Sequence, residues 1–403
     1  MFVSLGFHPD LTGGAYRYVT EVATRLAARG HRTTILVPSP DPSLPGTEHL
    51  GPLRIIRVQT SHTWFALNWL RKNLAARRVA STIDRATPSP CWVSCHGFLA
   101  PVLAGRWQRT ISLFTGPWAE EYLFSQQTGA RGIAPPIARR IAAALRSVER
   151  YGLRRSRRIC TISQYYIERL PDWHPGHLPP IDNISGGADF DRFHPCKDRL
   201  AARAKFGVGN QERVLLTVRR LDPRMGLTSL VESFARIAPK HPNARLWLAG
   251  RGPQADVLSQ AIRQSGLESK ARLLGFVPEA DLPDLYNAAD CCVMPSLDLE
   301  GFGLATVESL ACGTPVLGSD SGATPELLLP LDRSLVFKTA VSADLDASLS
   351  RALGSPESLP SRSRCAEYAR SRFSWDGPAD GLERALRRVV GMSMGKEAEE
   401  AKG

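Results

Sequence analysis

The sequence predicts an α/β protein made of two doubly wound domains, in which parallel strands alternate with helices. Residues 2–37 read as a strand, a glycine-bearing turn, a helix and a second strand. Residues 214–276 repeat this alternation, and residues 291–318 read as a buried strand, an acidic loop, a helix and another strand. At 403 residues the chain is long enough for two domains that each bury a core.

The first strand–turn–helix unit carries two adjacent glycines, Gly13 and Gly14, in its turn. From Ala15 onward the apolar residues recur at helical spacing until Gly30, and residues 33–37 form the next strand. Because glycine has no Cβ, a ligand or another backbone segment can approach this turn closely. Residues 38–53 carry many Pro and Gly and read as a loop.

Two further strands of the first half, residues 91–94 and 111–114, each end in polar residues. His96 follows the first strand directly, and Trp118 and Glu120 lie in the loop after the second. Ligands of open parallel sheets bind at the carboxyl ends of the strands, so these three residues are candidates for a binding site. A lone histidine is also common as a structural polar residue.

Charge is distributed unevenly along the chain. The formal net charge is +12, and the excess of Lys and Arg lies in residues 1–185. This asymmetry predicts an anionic partner, such as acidic lipid head groups or a phosphorylated acceptor, with nucleic acid less favoured; the alternative is an Arg-rich surface without a partner. Residues 64–85 combine two tryptophans with a basic helical face, which fits a helix packed on the sheet or one lying on a membrane surface.

Several classes of protein are disfavoured by composition. No apolar run approaches eighteen residues, and the N-terminus does not resemble a secretion signal. The eight cysteines lack paired CxxC clusters that could hold zinc, and we expect them to be reduced, buried thiols. These features predict a cytoplasmic protein, and the basic first half would allow contact with the inner face of a membrane.

The second half begins with an apolar strand at residues 214–218, which leads into the sequence RRLDPRMG. A later strand, residues 245–249, is followed by Gly250 and Gly252. These two glycines form only part of a dinucleotide fingerprint, because the third glycine is absent. A nicotinamide-dependent oxidoreductase is therefore an alternative with weak support.

The stretch CCVMPSLDLEGFGLATVESLACGTPVLGSDSGATPEL, residues 291–327, is the most informative part of the chain. Its strand ends in an acidic loop that contains Glu300, and a helix is predicted to begin at Leu304. A helix start offers unpaired N–H groups and the positive end of a dipole to a phosphate, here from Gly301, Phe302, Gly303 and Leu304. Glu308 lies on the second turn of that helix, so both carboxylates could face one ligand.

Glu300, seven intervening residues and Glu308, with Gly-Phe-Gly between them and Gly-Thr-Pro-Val after them, resemble the donor-binding signature of the family 4 retaining glycosyltransferases. The resemblance implies the GT-B fold, in which two Rossmann-like domains face each other across a cleft and a C-terminal helix returns to the first domain. It implies an acceptor-binding domain at 1–182, a nucleotide-sugar-binding domain at 183–372, and a returning helix at 373–391. We expect a disordered tail at 392–403.

The chain departs from the family at the residues that hold the donor diphosphate. Arg220 matches the family's arginine, whereas Met225 occupies the position of its lysine and Arg219 that of a glycine. A thioether cannot bind phosphate, so Arg219 or Arg224 is expected to supply the missing charge, since guanidinium groups bind phosphate well.

Roles for the remaining site residues are implied by the same resemblance. Glu300 would orient the sugar hydroxyls, Glu308 would accept hydrogen bonds from the ribose, and His96 would reach the donor sugar. Further donor contacts are assigned to Gly13, Gly14, Gly250 and Val277, and acceptor contacts to Trp118 and Glu120.

The implied activity is that of a retaining hexosyltransferase, which moves a sugar from a UDP- or GDP-sugar to a hydroxyl-bearing acceptor without a metal or cofactor. The acceptor would be a small molecule, a glycan or a lipid-linked sugar, and no nucleic acid partner is expected. The alternatives are a catalytically degenerate nucleotide-sugar-binding protein and the oxidoreductase named above. A glycogen-type phosphorylase is disfavoured, because no lysine stands in an evident pyridoxal site.

Overall fold

The computed structural model describes residues 1–11, 13–39, 41, 43–59, 65–87, 90–96, 102–127, 133–339 and 341–400. The chain divides into two compact units. The first comprises Met1–Glu120, Pro135–Gly186 and Trp375–Gly403, and the second Glu121–Ala134 and Gly187–Ser374. The crossings after Gly186 and Ser374 lie near the expected boundaries at 182 and 372, whereas no sequence pattern indicates that 121–134 belongs with the second unit.

In the described part of the first unit, one sheet has the strand order β3-β4-β2-β1-β5-β6-β7-β8. Its pairs are parallel except for β3 with β4. The strands are β1 (Phe2–Val3), β2 (Thr34–Ser39), β3 (Thr47–Leu50), β4 (Leu53–Gln59), β5 (Trp92–Ser94), β6 (Thr110–Phe114), β7 (Arg158–Thr161) and β8 (Ile181–Asn183). The strand order reverses at β1, because β2 and β5 lie on opposite sides of it. The carboxyl ends of β1 and β5 therefore form a topological switch point.

Three elements of this unit differ from the sequence prediction. Strand β3 lies in a stretch read as a loop, because it is a short and largely exposed edge strand beside Pro and Gly. Strand β8 lies across the domain boundary that the sequence predicts at 182. The helix Gln164–Trp173 is absent from the prediction because Pro171 lies inside it, and proline normally indicates that a helix has ended.

The helices of the first unit pack on the sheet and on each other. They are α1 (Gly14–Ala28), α2 (Phe65–Ala86), the start of α3 (Trp118–Gln127), α4 (Pro135–Arg155), α5 (Gln164–Trp173) and, at the end of the chain, α14 (Asp376–Glu400). The predicted stripe of α1 is buried, including Val19 and Val22. Helix α2 packs on the sheet through Ala76 and Ala80, while Trp64 lies outside the described residues.

Helix α14 is held against α1 by a cluster of ion pairs. Arg29, which directly follows α1, lies 2.6 Å from Asp380 and 3.3 Å from Glu383, measured between side-chain nitrogen and oxygen atoms. The rings of Tyr18 and Trp375 meet edge to face at 5.5 Å. The helix begins at Asp376 rather than 373 and continues through Glu400, whereas the sequence predicts a disordered tail from 392.

The second unit contains a parallel sheet whose described strands follow the order β11-β10-β9-β12-β13-β14. The strands are β9 (Arg213–Val218), β10 (Ala244–Ala249), β11 (Ala271–Gly275), β12 (Cys291–Met294), β13 (Val316–Ser319) and β14 (Val336–Phe337). The helices are α6 (Arg199–Lys205), α7 (Leu227–Ile237), α8 (Ala255–Gln264), α9 (Leu282–Ala288), α10 (Leu304–Ala311), α11 (Thr324–Leu328), α12 (Ser342–Gly354) and α13 (Arg362–Arg372). This order is that of a Rossmann-like sheet, with its switch point between β9 and β12.

The strands beside this switch point are almost entirely apolar. Leu215 and Leu216 of β9, and Cys292 and Val293 of β12, have no solvent exposure. A parallel sheet covered by helices on both faces requires such continuous runs, because side chains of both faces are buried. The polar residues that follow these strands therefore lie at the end of a rigid core.

Within the described residues, no helix combines the length and the apolar content that crossing a membrane would require. All eight cysteines are unpaired, as the sequence predicts. Burial raises the pKa of the Cys160 thiol to about 12, so this thiol is protonated at neutral pH.

Candidate functional site

Two loops meet at the switch point of the second unit. Arg219 directly follows β9, and Glu300 lies in the loop after β12. An Nη2 hydrogen of Arg219 is donated to Oε2 of Glu300, and the Ser296 hydroxyl donates to the same oxygen at 3.0 Å. The other carboxylate oxygen of Glu300, Oε1, has no hydrogen-bond partner among the described residues. The predicted Glu300 and Arg219 are thus brought together, with Ser296 as a partner that the sequence analysis missed.

The side chain of Arg219 is the most buried of the three arginines in the RRLDPRMG segment. Its side chain is 7% exposed, and its Nε and Nη1 atoms have no hydrogen-bond partner within the described part of the chain. Burial lowers the pKa of the guanidinium and outweighs the attraction of Glu300, and nearby Arg224 lowers it further. Unused buried donors are costly, so this arrangement is suited to receive an anionic or oxygen-rich ligand.

The other two arginines of the RRLDPRMG segment have different surroundings. The side chain of Arg220 is 67% exposed and lies 3.4 Å from the Asp222 carboxylate. Arg224 donates from Nη1 to the Leu299 carbonyl at 3.0 Å and lies 3.5 Å from the carboxylate of Glu121, in the same unit. Arg220 is therefore open to a ligand, whereas Arg224 supports the loop that carries Glu300.

Leu299, the residue before Glu300, has an unusual backbone conformation. Its φ is +58°, in the left-handed region that bulky residues rarely adopt. The Leu299 amide donates to Asp298 at 2.7 Å, and its carbonyl accepts from Arg224. Such a conformation persists only where surrounding contacts enforce it, and it is common at active sites. It therefore supports the assignment of this loop as a functional site.

Helix α10 begins at Leu304, as predicted, with Gly303 at its N-cap position. No side chain caps this helix, so its first amides remain available. The ring of Phe302 is buried and meets that of Phe373 at 6.1 Å, so the predicted donor contact of Phe302 would use its backbone. The backbone of Gly301, Phe302 and Gly303 lies at this helix start, and its contact with a donor phosphate remains a prediction.

Glu308 occupies a different environment from Glu300. It is 5% exposed, and its Oε2 accepts a hydrogen bond from the Tyr286 hydroxyl at 3.0 Å. Burial, and secondarily the charge of Glu308, raise the pKa of Tyr286 well above its ordinary value. An aromatic residue on an apolar helix normally indicates core packing, so the sequence offered no signal for this partner. The ribose contact assigned to Glu308 remains a prediction.

The glycines after β10 serve a close approach of two loops. A Cβ on Gly250, whose φ is +141°, would lie 1.8 Å from the Arg219 carbonyl oxygen. A Cβ on Gly252 would lie 2.2 Å from the Leu221 carbonyl oxygen. Gly250 and Gly252 are therefore needed for the packing of this loop against Arg219 and Leu221, which accounts for the two glycines without a dinucleotide. Val277, in the loop after β11, is partly exposed, and its donor contact remains a prediction.

His96 lies at the switch point of the first unit, two residues after the end of β5. Its Nδ1 accepts a hydrogen bond from the Leu5 amide at 3.3 Å, and its ring lies 5.7 Å from that of Tyr16. Tyr16 is in the first turn of α1, which begins at Gly14 with Gly13 at its N-cap position. The structure therefore brings the predicted His96 close to the predicted Gly13–Gly14 turn, while Gly97 lies outside the described residues.

His96 should make stability depend on pH. Burial lowers its pKa from 6.5 to about 4. His96 therefore binds a proton near pH 6.5 in the unfolded chain but only near pH 4 in the folded chain. The free energy of unfolding falls as the pH is lowered through this interval, because the unfolded state binds more protons. We expect His96 to lower the free energy of unfolding by about 2 kcal/mol between pH 7 and pH 5. Urea unfolding of the wild type and of His96→Asn at both pH values tests this, and equal losses in the two proteins would contradict it.

The predicted acceptor residues have partners within the protein. Glu120 accepts hydrogen bonds from Arg146 of α4, at 2.5 Å from Nη2 and 3.1 Å from Nε. The backbone amide of Trp118 donates to Glu149 at 3.4 Å. Glu120 thus links α3 to α4 through Arg146, a partner that the sequence did not indicate. The acceptor contact assigned to Glu120 remains a prediction. No group of three His, Cys, Asp or Glu side chains among the described residues is placed to hold a metal ion.

Comparison with known proteins gives two family matches. The profile described as "Glycosyltransferase Family 4" matches residues 12–192. The profile described as "Glycosyl transferases group 1" matches residues 198–372. The two matches follow each other along the chain and include the site residues of both units.

Individual relatives are more distant. The D-inositol 3-phosphate glycosyltransferase of Segniliparus rotundus is 28% identical over 239 residues, which cover 58% of this chain and 53% of that protein. The chain thus matches about half the length of this curated relative. Among solved structures, sucrose-phosphate synthase from Thermosynechococcus elongatus has a TM-score of 0.82 at 21% identity, covering 97% of this chain and 98% of that one. Anabaena HepE in complex with UDP and glucose has a TM-score of 0.72 at 19% identity, covering 96% and 98%. At these identities the structural likeness shows the fold.

Proposed function

The chain belongs to glycosyltransferase family 4 and has the GT-B fold of two Rossmann-like units, and from this premise we propose that it transfers a sugar from a nucleotide diphosphate sugar to a hydroxyl group. The observation that carries the proposal is the Arg219–Glu300 pair at the switch point of the second unit, beside the uncapped start of α10. A cation with unused donors and a carboxylate with a free oxygen suit a ligand that combines phosphate and sugar hydroxyls.

Binding of the donor would use both kinds of group. The diphosphate would contact Arg220, a second cation and the first amides of α10, since helix N-termini and guanidinium groups both bind phosphate. The free Oε1 of Glu300 would accept a hydrogen bond from a sugar hydroxyl. UDP- and GDP-sugars are the donor classes proposed, and the UDP and glucose bound by Anabaena HepE are consistent with the first. Glu308 is proposed to contact the ribose, and His96 the transferred sugar.

The proposed reaction proceeds with retention at the anomeric carbon. The bond between C1 and the diphosphate oxygen breaks, and its electron pair remains on the diphosphate. The acceptor oxygen forms a bond to C1 on the same face, and its proton passes to the departing diphosphate oxygen. Charge develops on the diphosphate, where preplaced arginines and amides stabilise it electrostatically. Because the chain supplies these cations itself, we propose a reaction that requires no added metal ion.

The first unit is proposed to bind the acceptor, whether a small molecule, a glycan or a lipid-linked sugar. Its basic composition would favour an acceptor that carries phosphate, or one presented at an anionic membrane surface. Mannosylfructose-phosphate synthase of Agrobacterium fabrum and the inositol phosphate enzymes are relatives whose names include a phosphorylated sugar or cyclitol.

The proposal is tested by thermal unfolding with UDP, GDP, ADP, UDP-glucose, GDP-mannose and NAD. Ligand at one hundred times its Kd stabilises the native state by about 2.7 kcal/mol, which should raise the Tm by several degrees. We expect a shift with one nucleoside diphosphate and its sugar, and slow release of free sugar from that donor. A shift with NAD alone, or with none of the six, would contradict the proposal; binding without any turnover would favour a degenerate sugar-nucleotide-binding protein.

A further inference from the structure

Family membership does not tell which residue of this chain is the second cation for the donor diphosphate, because Met225 stands where a lysine is expected. We propose that Arg219 is this cation, and that Glu300 holds it in position in the free protein. The inference rests on the proposed function and deepens it, since it assigns a specific residue to the phosphate groups of the donor.

The first argument is the unused hydrogen-bonding capacity of Arg219. One nitrogen, Nη2, is bound by Glu300, while Nε and Nη1 are buried and have no partner in the described part of the chain. A guanidinium has five N–H groups and cannot lose its charge in a protein, so it must find acceptors elsewhere. Phosphate oxygens of a bound ligand would supply them, and the resulting bonds would be charge-assisted.

The second argument comes from the alternatives in the same segment. Arg224 is bound to the Leu299 carbonyl and lies near Glu121, so it already has acceptors and helps to hold the strained conformation of Leu299. Arg220 is largely exposed, where water screens its charge and weakens its attraction for an anion. Arg219 alone among the three combines deep burial with unused buried donors.

The third argument is electrostatic. Arg224 lies close enough to Arg219 to disfavour its charge, and the carboxylate that opposes this effect at Arg219 is that of Glu300. Burial adds to this cost, because a charge removed from water requires compensation from its surroundings. A doubly charged diphosphate would neutralise the excess. The local charge around Arg219 therefore favours an anionic ligand.

The position of Met225 completes the argument. Met225 is buried in the turn that follows Arg224, and the Arg224 carbonyl of this turn accepts a hydrogen bond from Leu297 at 2.8 Å. The turn is thus fixed against the loop that carries Glu300. The family resemblance implies a lysine at position 225 and a glycine at position 219, whereas this chain has Met225 and Arg219. Arg219 and Met225 are therefore expected to be a compensating pair.

This compensation can be tested by restoring the usual family pattern. The variants are Arg219→Gly, Met225→Lys and the double variant with both changes. Their affinity for the nucleoside diphosphate that the wild type binds, UDP or GDP, is measured by titration calorimetry, together with the matching monophosphate. Arg219→Gly should weaken diphosphate binding by roughly tenfold or more, because a charge-assisted bond is lost. Monophosphate binding should change less than about threefold, since the second phosphate provides the contact.

The double variant should recover most of the lost diphosphate affinity, whereas Met225→Lys alone should bring no gain of more than about twofold, because a second cation is then already present. Lys338→Gly is the matched control, since it removes an exposed loop cation of the same unit and should leave both affinities unchanged. If Arg219→Gly fails to fold, Arg219→Met removes the charge while keeping a long side chain, and the same loss is expected.

Three results would overturn the inference. They are an unchanged diphosphate affinity in Arg219→Gly, an equal loss for monophosphate and diphosphate, and a double variant that stays as weak as the single one. In each case the wild type still binds the diphosphate, so the proposed function would stand without Arg219. If the wild type itself bound no nucleoside diphosphate, the proposed function and this inference would both fail.

Discussion

Glu300→Gln is expected to lower kcat for sugar transfer by roughly a hundredfold or more, because preplaced charge in an active site contributes on this scale. Glutamine keeps the volume of the side chain and can still accept a hydrogen bond from Ser296. It removes the negative charge that holds Arg219 and weakens the acceptor available to a sugar hydroxyl. The loss should therefore appear mainly in kcat, since orientation of the sugar and of Arg219 is needed most in the transition state.

The same substitution should cost about 1–3 kcal/mol of stability, because the charge of Arg219 stays buried without its counter-ion. Rates are therefore compared well below the Tm of both proteins. Glu357→Gln provides the control, as it neutralises an exposed carboxylate of the same unit and should leave kcat within about twofold of the wild type. A folded Glu300→Gln protein with normal kcat would remove Glu300 from the proposed mechanism.

The parts of this site that the sequence predicts are those set by local patterns. The start of α10 follows from Gly303 and the apolar run after it, and the buried stripe of α1 follows from its helical spacing. The placement of Arg219 and Glu300 at one sheet edge follows from strand alternation, since loops after neighbouring parallel strands meet at their carboxyl ends. Nothing beyond residue order and periodicity is needed for these predictions.

The pairings within the site depend on tertiary packing and could not be predicted in this way. Arg219 and Glu300 are 81 positions apart, and the sequence left open whether Arg219 or Arg224 replaces the missing lysine. Our proposal of Arg219 depends on a contact that has no sequence signal, the hydrogen bond from Arg224 to the Leu299 carbonyl. The same holds for Glu120, whose hydrogen bond from Arg146 has no signal in the sequence, and its acceptor contact stays a prediction.

The backbone of Glu300 is itself enclosed by the loop after β13. The Ala323 amide donates to the Glu300 carbonyl at 2.8 Å, and a Cβ on Gly322 would lie 2.5 Å from that carbonyl oxygen. The φ of Gly322 is +63°, a backbone conformation that is unfavourable for residues with a Cβ. Gly322 thus allows this loop to approach Glu300, and any side chain there must displace backbone atoms.

Gly322→Ala is accordingly expected to lower the free energy of unfolding by roughly 2–5 kcal/mol, as the sum of left-handed strain and overpacking. Gly266→Ala is a matched control, because Gly266 has the same φ of +63° and no neighbouring atom within 4 Å of an added Cβ. Gly266→Ala should lower the free energy of unfolding by about 1–2 kcal/mol, which is the cost of the backbone strain alone. Urea unfolding of both variants isolates the contribution of the close contact, and equal losses would show that the contact is relieved without cost.

The activity of Gly322→Ala then reports on Glu300 without any change in its side chain. A displaced Glu300 backbone would carry the carboxylate away from Arg219, and misplacement by about 1 Å can lower a rate by roughly a hundredfold. We expect kcat to fall in Gly322→Ala and to be retained in Gly266→Ala, both measured at a temperature where the proteins are folded. A Gly322→Ala protein that is destabilised but fully active would mean that the Arg219–Glu300 geometry tolerates movement, and the site would then depend on the charge of this pair more than on its exact placement.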